Sequence, residues 1–289
     1  MTDPATLWAW DHLARSTVTT ALRPNQFRRI AALAKERWGL HLTEKKTALV
    51  QNRMAKHVVR SEFESLEDYI RHLSGDPPEQ DLLEFFDLLS TNTTSFFRES
   101  RHFDFLAEQF YPGLCASGAR SLRIWSAACS NGAEPYSIVM HAEQQLKSLD
   151  SWDIRVLATD LSASALKHAK RGEYQTAALE GVPETLQRNC FVHDGEGVRI
   201  ADRLRRVIAF HQLNLMDAWP MKGPFDVIFL RNVMIYFDPA TRERLVSRMH
   251  SLLRPGGYLI VGSAESINGF DASFRTAQPA VYEKIGGAA

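Results

Sequence analysis

Polar side chains follow several apolar segments, at the positions where strands of an open α/β sheet would end. "RIWSAACSNGAEPYSI" turns into a helix at Glu134, "IRVLATD" ends at Asp160, and "RVIAFHQLNL" and "PFDVIFLRNVMIYF" carry further polar residues. Ligands of such sheets bind outside the carboxyl ends of the strands, so one site is predicted there. Its members at the strand ends are Glu134, Asp160, Asn214, Leu215, Arg231 and Asn232.

The two acids in this set favour a nucleoside with a cationic group. A carboxylate at Asp160 can accept hydrogen bonds from both ribose hydroxyls, although capping the following helix is an equally good role. Glu134 would repel a pyrophosphate and suits an α-ammonium or a sulfonium, although an acid in the first helical turn also stabilises the helix dipole. Before any family is considered, these residues predict a nucleoside-binding, Rossmann-like domain.

A second cluster, "STNTTSFFRES", contains hydroxyls, an amide, two phenylalanines and a cation. A capped helix start explains the hydroxyls and the aromatic pair. It does not explain Arg98, whose guanidinium could bind a carboxylate bidentately or join a structural ion pair.

Composition excludes several classes of function. Thirty-four basic residues balance thirty-four acidic ones, so no overall field recruits nucleic acid or a membrane surface. Three cysteines in no regular spacing predict reduced thiols, and no metal-ligand pattern is present. No apolar run approaches the length of a membrane span, and the start lacks the pattern of a signal peptide. We therefore expect a cytoplasmic protein without membrane insertion.

The elements that position these residues fall into two halves. Residues 1–90 show helical periodicity, with stops predicted at Gly39 and Gly75. Residues 91–289 alternate strands with helices from about Leu122, which predicts a doubly wound α/β sheet. Ser162 and Asp238 are predicted helix N-caps, and the last helix is predicted to end at Gly256. "HDGEG" indicates a β-hairpin subdomain at about 188–212, or an ordinary loop.

The motifs resemble those of the CheR family, the chemotaxis receptor glutamate O-methyltransferases. They are "TNTTSFFRE", "WSAACSNGAEPYSI", "ATDLSASAL", "FDVIFLRNVMIYFD" and "GGYLIVGSAES", in order along the chain. The resemblance runs from about residue 25 to the end. It implies a class I methyltransferase sheet, an N-terminal helical domain and a small β-subdomain. It also implies that S-adenosylmethionine methylates receptor glutamates and leaves S-adenosylhomocysteine.

The resemblance also implies roles for single residues. The cofactor-binding set is Asn92, Thr94, Arg98, Glu134, Asp160, Asn214, Leu215, Arg231 and Asn232. Tyr236 corresponds to a tyrosine near the transferred methyl group, and Arg98 and Tyr236 are the candidates that orient the substrate carboxylate. That nucleophile is already ionised at neutral pH, so in-line displacement needs alignment and no general base.

The same resemblance implies that a stripe of basic residues docks the substrate. Without the resemblance, such a stripe would be interpreted as a solvated surface. Its residues are Lys46, Arg53, Lys56 and Arg60. The expected partner is the acidic cytoplasmic helical region of a chemoreceptor, bound by a monomer. Two departures from the family stand out: a short "HDGEG" loop argues against gripping a receptor tail, and "GSAES" replaces "GHSE", with Glu265 at the place of the usual acid.

The sequence is compatible with two other functions. The same fold could methylate another protein or a small molecule, since a fold does not fix a substrate. The chain could also be a catalytically weak, adenosine-binding regulatory or scaffold protein. The presence of Asn92, Arg98, Asp160, Asn232 and Tyr236 argues against the second alternative.

Overall fold

The chain divides into two compact units, Met1–Thr91 and Asn92–Ala289. A computed structural model describes residues 21–91, 93–146, 149, 151–270 and 273–286. Asn92, one of the predicted cofactor-binding residues, lies outside the described residues. No helix in these ranges is long and apolar enough to cross a bilayer.

The first unit is helical. Its α-helices are Pro24–Trp38 (α1), Thr47–Arg60 (α2), Leu66–Leu73 (α3) and Glu79–Leu89 (α4), with a 3₁₀ turn at Glu44–Lys46. Gly39, at φ 70°, ends α1 as predicted, and Ser65 caps α3. Trp38 packs its ring on Phe85 and Phe86 of α4, so the buried stripes of the helices form one apolar core.

The second unit is built on two sheets. The strands are Ser121–Ala127 (β1), Asp153–Asp160 (β2), Glu173–Gln175 (β3), Phe191–Asp194 (β4), Gly197–Ile200 (β5), Ile208–Gln212 (β6), Phe225–Leu230 (β7), Leu253–Val261 (β8), Phe274–Gln278 (β9) and Val281–Lys284 (β10). The large sheet has the order β6-β2-β1-β7-β8-β10-β9 and the small one β3-β5-β4. The first five strands of the large sheet are parallel, and β10 is antiparallel to both its neighbours.

Helices connect these strands. They are Arg101–Phe105 (α5), a π-helical turn Leu106–Phe110, Tyr111–Ala116 (α6), Ala133–Leu146 (α7), Ala163–Arg171 (α8), a 3₁₀ turn Thr176–Leu179, Glu184–Cys190 (α9), Asp202–Arg205 (α10), a 3₁₀ turn Met234–Tyr236 and Pro239–Leu252 (α11). Every residue of β7 is buried, as expected of a central parallel strand. Asp226 within it is buried, but its carboxylate accepts from the Arg123 amide and pairs with Arg254.

Local signals placed several boundaries correctly. The Ser162 hydroxyl accepts from Ala165 N at 3.1 Å, and Asp238 accepts from Thr241 N at 2.8 Å, so both predicted N-caps are confirmed. The predicted end of α11 at Gly256 is wrong. The helix stops at Leu252, because Leu253 is extended and begins β8, two residues before Pro255.

The small sheet is larger than a hairpin. The strands β4 and β5 pair around the "HDGEG" turn, and β3 joins β5 on its other side. The strand β3 is only three residues long and Tyr174 is its one buried residue. It is therefore too short to show the alternation of apolar and polar residues that predicts a strand. The segment Ile208–Gln212 belongs to the large sheet, where it pairs with β2.

Candidate functional site

The carboxyl ends of four parallel strands form one edge in the second unit. The last paired residues there are Asp160, Ala127, Leu230 and Val261, from β2, β1, β7 and β8. Arg231 and Gly262 come directly after β7 and β8. The register therefore brings the predicted strand-end residues to a common edge.

Backbone strain is concentrated around this edge. Among the described residues, six that are not glycine have positive φ, and five belong to the segments that meet here. They are Phe97 (51°), Glu99 (58°), Ala128 (63°), Ser130 (50°) and Asn232 (58°). Such conformations cost roughly 1–3 kcal/mol each and persist where the surroundings fix them, as at functional sites.

Asp160 links the turn after β1 to the start of α8. One carboxylate oxygen accepts from Ser130 N at 2.7 Å and the other from Ser162 N at 2.9 Å. The residue is buried. Asp160 therefore holds the turn after β1 against the start of α8. Its binding of the ribose stays a prediction.

Gly132 ends the small-residue turn at φ 90°. A Cβ at this position would lie 2.8 Å from the Cβ of Ala169 on α8 and 3.1 Å from the Tyr174 hydroxyl. That hydroxyl donates to Asn131 O at 2.8 Å. The single glycine of the turn is therefore required by close packing against α8.

Glu134 and Arg231 form a buried ion pair at the centre of the edge. Arg231 Nη1 lies 2.9 Å from Glu134 Oε2, and the Ser126 hydroxyl donates to the other oxygen at 2.7 Å. Arg231 Nη2 also lies 3.3 Å from Glu99 Oε2. Two carboxylates thus share one guanidinium, whose side chain is 2% exposed. The group keeps one excess negative charge, which favours a cationic ligand.

The segment 93–99 is bound to this centre. Arg231 Nη2 donates to the carbonyl oxygen of Arg98, and Phe97 N donates to the Ser137 hydroxyl of α7 at 2.9 Å. Arg98 is half-buried, and its Nη1 donates to Thr93 O at 3.1 Å, which leaves the guanidinium other donors. Thr94 is half-buried in the same segment.

The loop after β7 is fixed by Glu265, which is buried. Its Oε2 accepts from Asn232 N at 2.8 Å and Gly262 N at 2.7 Å, and its Oε1 from Ile235 N at 3.2 Å. Tyr236 ends the 3₁₀ turn of this loop and is half-buried. A carboxylate with three backbone donors holds a loop firmly, because charged acceptors form the stronger hydrogen bonds.

Asn214 and Leu215 lie beyond β6. Leu213 N donates to Asp160 O at 3.0 Å, which brings this segment beside Asp160. The Asn214 side chain accepts from Met216 N at 3.0 Å and donates to Asp217 at 3.2 Å, so it shapes its own turn. Leu215 is buried.

Two residues of this region were not selected from the sequence. Glu99 contacts Arg231, Asn232 and Ser263, and His102 has no exposed surface. Burial opposes ionisation of Glu99, but Arg231 and hydrogen bonds from Ser263 and Asn232 outweigh it and lower the pKa of its carboxyl. Burial and the nearby Arg231 lower the pKa of His102 to about 4. Neither residue has a local sequence signal, because the contacts of Glu99 and the burial of His102 arise only from the fold.

In the first unit, the predicted docking residues differ in their exposure and in their hydrogen bonds. Lys56 and Arg60 are exposed on α2, and Lys46 is half-buried in the preceding 3₁₀ turn. Arg53 Nη1 donates to the carbonyl oxygens of Leu88, Leu89 and Ser90 at 3.0, 3.0 and 2.7 Å. These are the free carbonyls at the end of α4, so Arg53 caps that helix.

Family comparisons cover both units. Residues 25–90 match the family model described as CheR methyltransferase, all-alpha domain, and residues 92–282 match CheR methyltransferase, SAM binding domain. The second match includes all the residues at the strand ends. It identifies S-adenosylmethionine as the cofactor.

Curated relatives match over most of their own length. The chain is 34% identical over 267 residues to the chemotaxis protein methyltransferase of Borreliella burgdorferi, covering 90% of this chain and 94% of that one. It is 37% identical to the probable chemotaxis protein methyltransferase of Rhizobium etli, covering 80% and 88%. It is 40% identical to chemotaxis protein methyltransferase 2 of Pseudomonas aeruginosa, covering 79% and 81%.

Proposed function

The chain belongs to the CheR methyltransferase family, and we propose that it converts glutamate side chains of chemoreceptors to γ-methyl esters. The observation that supports this most is the match of both units to one family, together with relatives named chemotaxis protein methyltransferase. The receptor's cytoplasmic helical region is the proposed substrate, which places the enzyme in the cytoplasm.

The side chains at the strand ends fit S-adenosylmethionine. The Glu99–Arg231–Glu134 group has an excess negative charge, which suits a ligand with an ammonium and a sulfonium. The carboxylate of Asp160, at the end of β2, is the group that we assign to the ribose hydroxyls. The proposed cofactor set is that predicted from the sequence: Asn92, Thr94, Arg98, Glu134, Asp160, Asn214, Leu215, Arg231 and Asn232.

The bound cofactor supplies an activated methyl group, which the glutamate oxygen takes in line as the carbon–sulfur bond breaks, leaving S-adenosylhomocysteine. The attacking carboxylate is ionised at neutral pH, so the protein need not remove a proton. Its task is to align the reacting groups. We assign the orientation of the carboxylate to the free donors of Arg98 and the hydroxyl of Tyr236.

Receptor docking is proposed for the exposed face of α2. Lys56 and Arg60 lie seven and eleven residues after Leu49, so the three share one side of the helix. Leu49 is 47% exposed, and Val59 beside this face is 60% exposed. A surface that combines cations with large apolar side chains fits an acidic amphipathic helix. Because "HDGEG" forms a tight turn between β4 and β5, docking of a receptor tail is not part of the proposal.

Incubation with methyl-labelled S-adenosylmethionine and receptor cytoplasmic fragments tests this function. We expect label on receptor glutamates that is released by mild base, as esters are. Label that resists base would indicate a different acceptor. Cofactor binding without any labelled receptor would instead support the regulatory or scaffold alternative.

A further inference from the structure

The side-chain amide of Asn232 faces the carboxylate of Glu99. Asn232 Nδ2 lies 3.4 Å from Glu99 Oε1. An ionised carboxylate only accepts hydrogen bonds, so the amide must turn its nitrogen toward Glu99 and its Oδ1 away from it. The lowered pKa of Glu99 keeps the carboxylate ionised near neutral pH.

Asn232 itself cannot move freely. Its backbone is left-handed, at φ 58°, and its backbone N–H donates to Glu265 Oε2 at 2.8 Å. Gly262 packs closely against it, since a Cβ there would lie 2.5 Å from Asn232 Nδ2. The amide plane is therefore the main freedom left to this side chain, and Glu99 removes it.

Glu99 is held as firmly as the residue that it orients. Its Oε2 accepts from Ser263 N at 3.1 Å and lies 3.3 Å from Arg231 Nη2. Its backbone is also left-handed, at φ 58°. Strained backbone conformations persist where the surrounding contacts fix them. Here the left-handed backbone of Glu99 directs its side chain toward Asn232.

We propose that Glu99 is a positioning residue that fixes the Asn232 amide so that Oδ1 is the acceptor offered to the cofactor. A carbonyl oxygen suits a donor such as the α-ammonium group of S-adenosylmethionine, whereas an NH₂ group there would repel it. The inference rests on the proposed placement of Asn232 in the cofactor site. It adds a role for an acid that is not in the cofactor-binding set.

Reversing the polarity of the contact tests the proposal. Glu99→Gln can present an NH₂ group and lets Asn232 flip, and Asn232→Asp places two carboxylates together. We expect each substitution to raise the Kd for S-adenosylhomocysteine by at least tenfold, measured by titration calorimetry on the full chain. In the double variant, the introduced glutamine can accept from Ser263 N and donate to the introduced aspartate, so the repulsion between the two carboxylates is removed and the contact is restored. Its Kd should return to within about threefold of wild type.

If the losses of affinity in the two single variants add in the double variant, the proposal is wrong. The effects of independent sites are additive, whereas a restored contact would make the combined loss smaller than the sum. No effect of Glu99→Gln alone would also overturn it, because the amide orientation would then not depend on Glu99, and this result would leave the proposed methyl transfer untouched. Glu108→Gln, on an exposed side chain of the neighbouring π-helical turn, is the matched control and should leave the Kd unchanged.

A second measurement does not depend on any change at Glu99. In Asn232→Asp the two adjacent carboxylates should share one proton as the pH falls, which restores a hydrogen bond between them. The Kd of this variant should therefore improve from pH 8 to pH 5.5 relative to wild type. A parallel pH dependence in the two proteins would show that residue 232 does not contact Glu99.

Discussion

Arg231 Nη1 lies 2.9 Å from Glu134 Oε2, although the two residues are 97 positions apart in the chain. The pair joins the loop after β7 to the first turn of α7. Burying one charge without the other would be costly, so removing either residue would leave its partner with an uncompensated buried charge. Because Glu99 adds a second carboxylate, the pairing still leaves negative charge for a ligand.

Glu134→Gln is expected to weaken S-adenosylmethionine binding by at least tenfold, or about 1.4 kcal/mol. Glutamine preserves the shape but removes the negative charge that favours a cationic ligand. Titration calorimetry with both cofactor forms locates the effect. Equal losses for S-adenosylmethionine and S-adenosylhomocysteine indicate the ammonium, which both carry, and a loss for the first alone indicates the sulfonium.

Glu143→Gln is the matched control for this change. Glu143 also lies on α7, but it pairs with Arg203 at 2.8 Å, away from the strand-end residues. Its replacement should leave both dissociation constants unchanged. An unchanged affinity in a folded Glu134→Gln variant would contradict the assignment of Glu134 to the cofactor.

Short-range signals in the sequence predicted the features that depend on near neighbours. The caps Ser162 and Asp238 bond three residues ahead, and the apolar runs of β1, β2 and β7 are long enough to show their period. The strand ends followed from these runs. The edge strand β9 was not predicted, because it has no buried residue to mark a period.

The contacts that organise the site could not be predicted in this way. Glu99 reaches Ser263 across 164 positions, and nothing local distinguishes it from an ordinary exposed acid. Arg53 was selected for its place on a basic stripe, yet its guanidinium caps α4 through contacts 35 to 37 positions away. Contacts between charged side chains that lie far apart in the sequence become visible only in the folded structure.

Gly132→Ala is expected to lower the free energy of unfolding by about 2–4 kcal/mol, measured in urea. The new methyl would meet Ala169 Cβ at 2.8 Å and add left-handed strain at φ 90°. Gly118→Ala separates the two effects. Gly118 has φ 75°, and a Cβ there would meet nothing within 4 Å, so this variant should lose only about 1–2 kcal/mol. Equal losses would contradict the packing argument.

Arg53 and Arg60, both on α2, should give opposite phenotypes. Arg53→Ala removes the cap of α4 and should destabilise the protein by about 1–3 kcal/mol. Arg60→Ala should leave stability unchanged and raise the KM for receptor fragments several-fold, with a smaller effect at high salt. Unfolding curves and methylation assays at two salt concentrations measure both. A salt-independent KM in both wild type and variant would remove Arg60 from docking.

Two buried histidines should make stability depend on pH. Burial is the first cause that lowers the pKa of His102 and of His141 to about 4, against about 6.5 in the unfolded chain. Between these values the unfolded state binds more protons, so stability is fully present above pH 6.5 and is lost as the pH falls toward 4. Each histidine can contribute as much as about 3 kcal/mol to this loss. His141→Phe keeps a ring against Phe103 and Tyr111 but cannot titrate. Its unfolding free energy should fall less steeply from pH 7 to 5 than that of wild type, and an identical slope would show that His141 titrates normally.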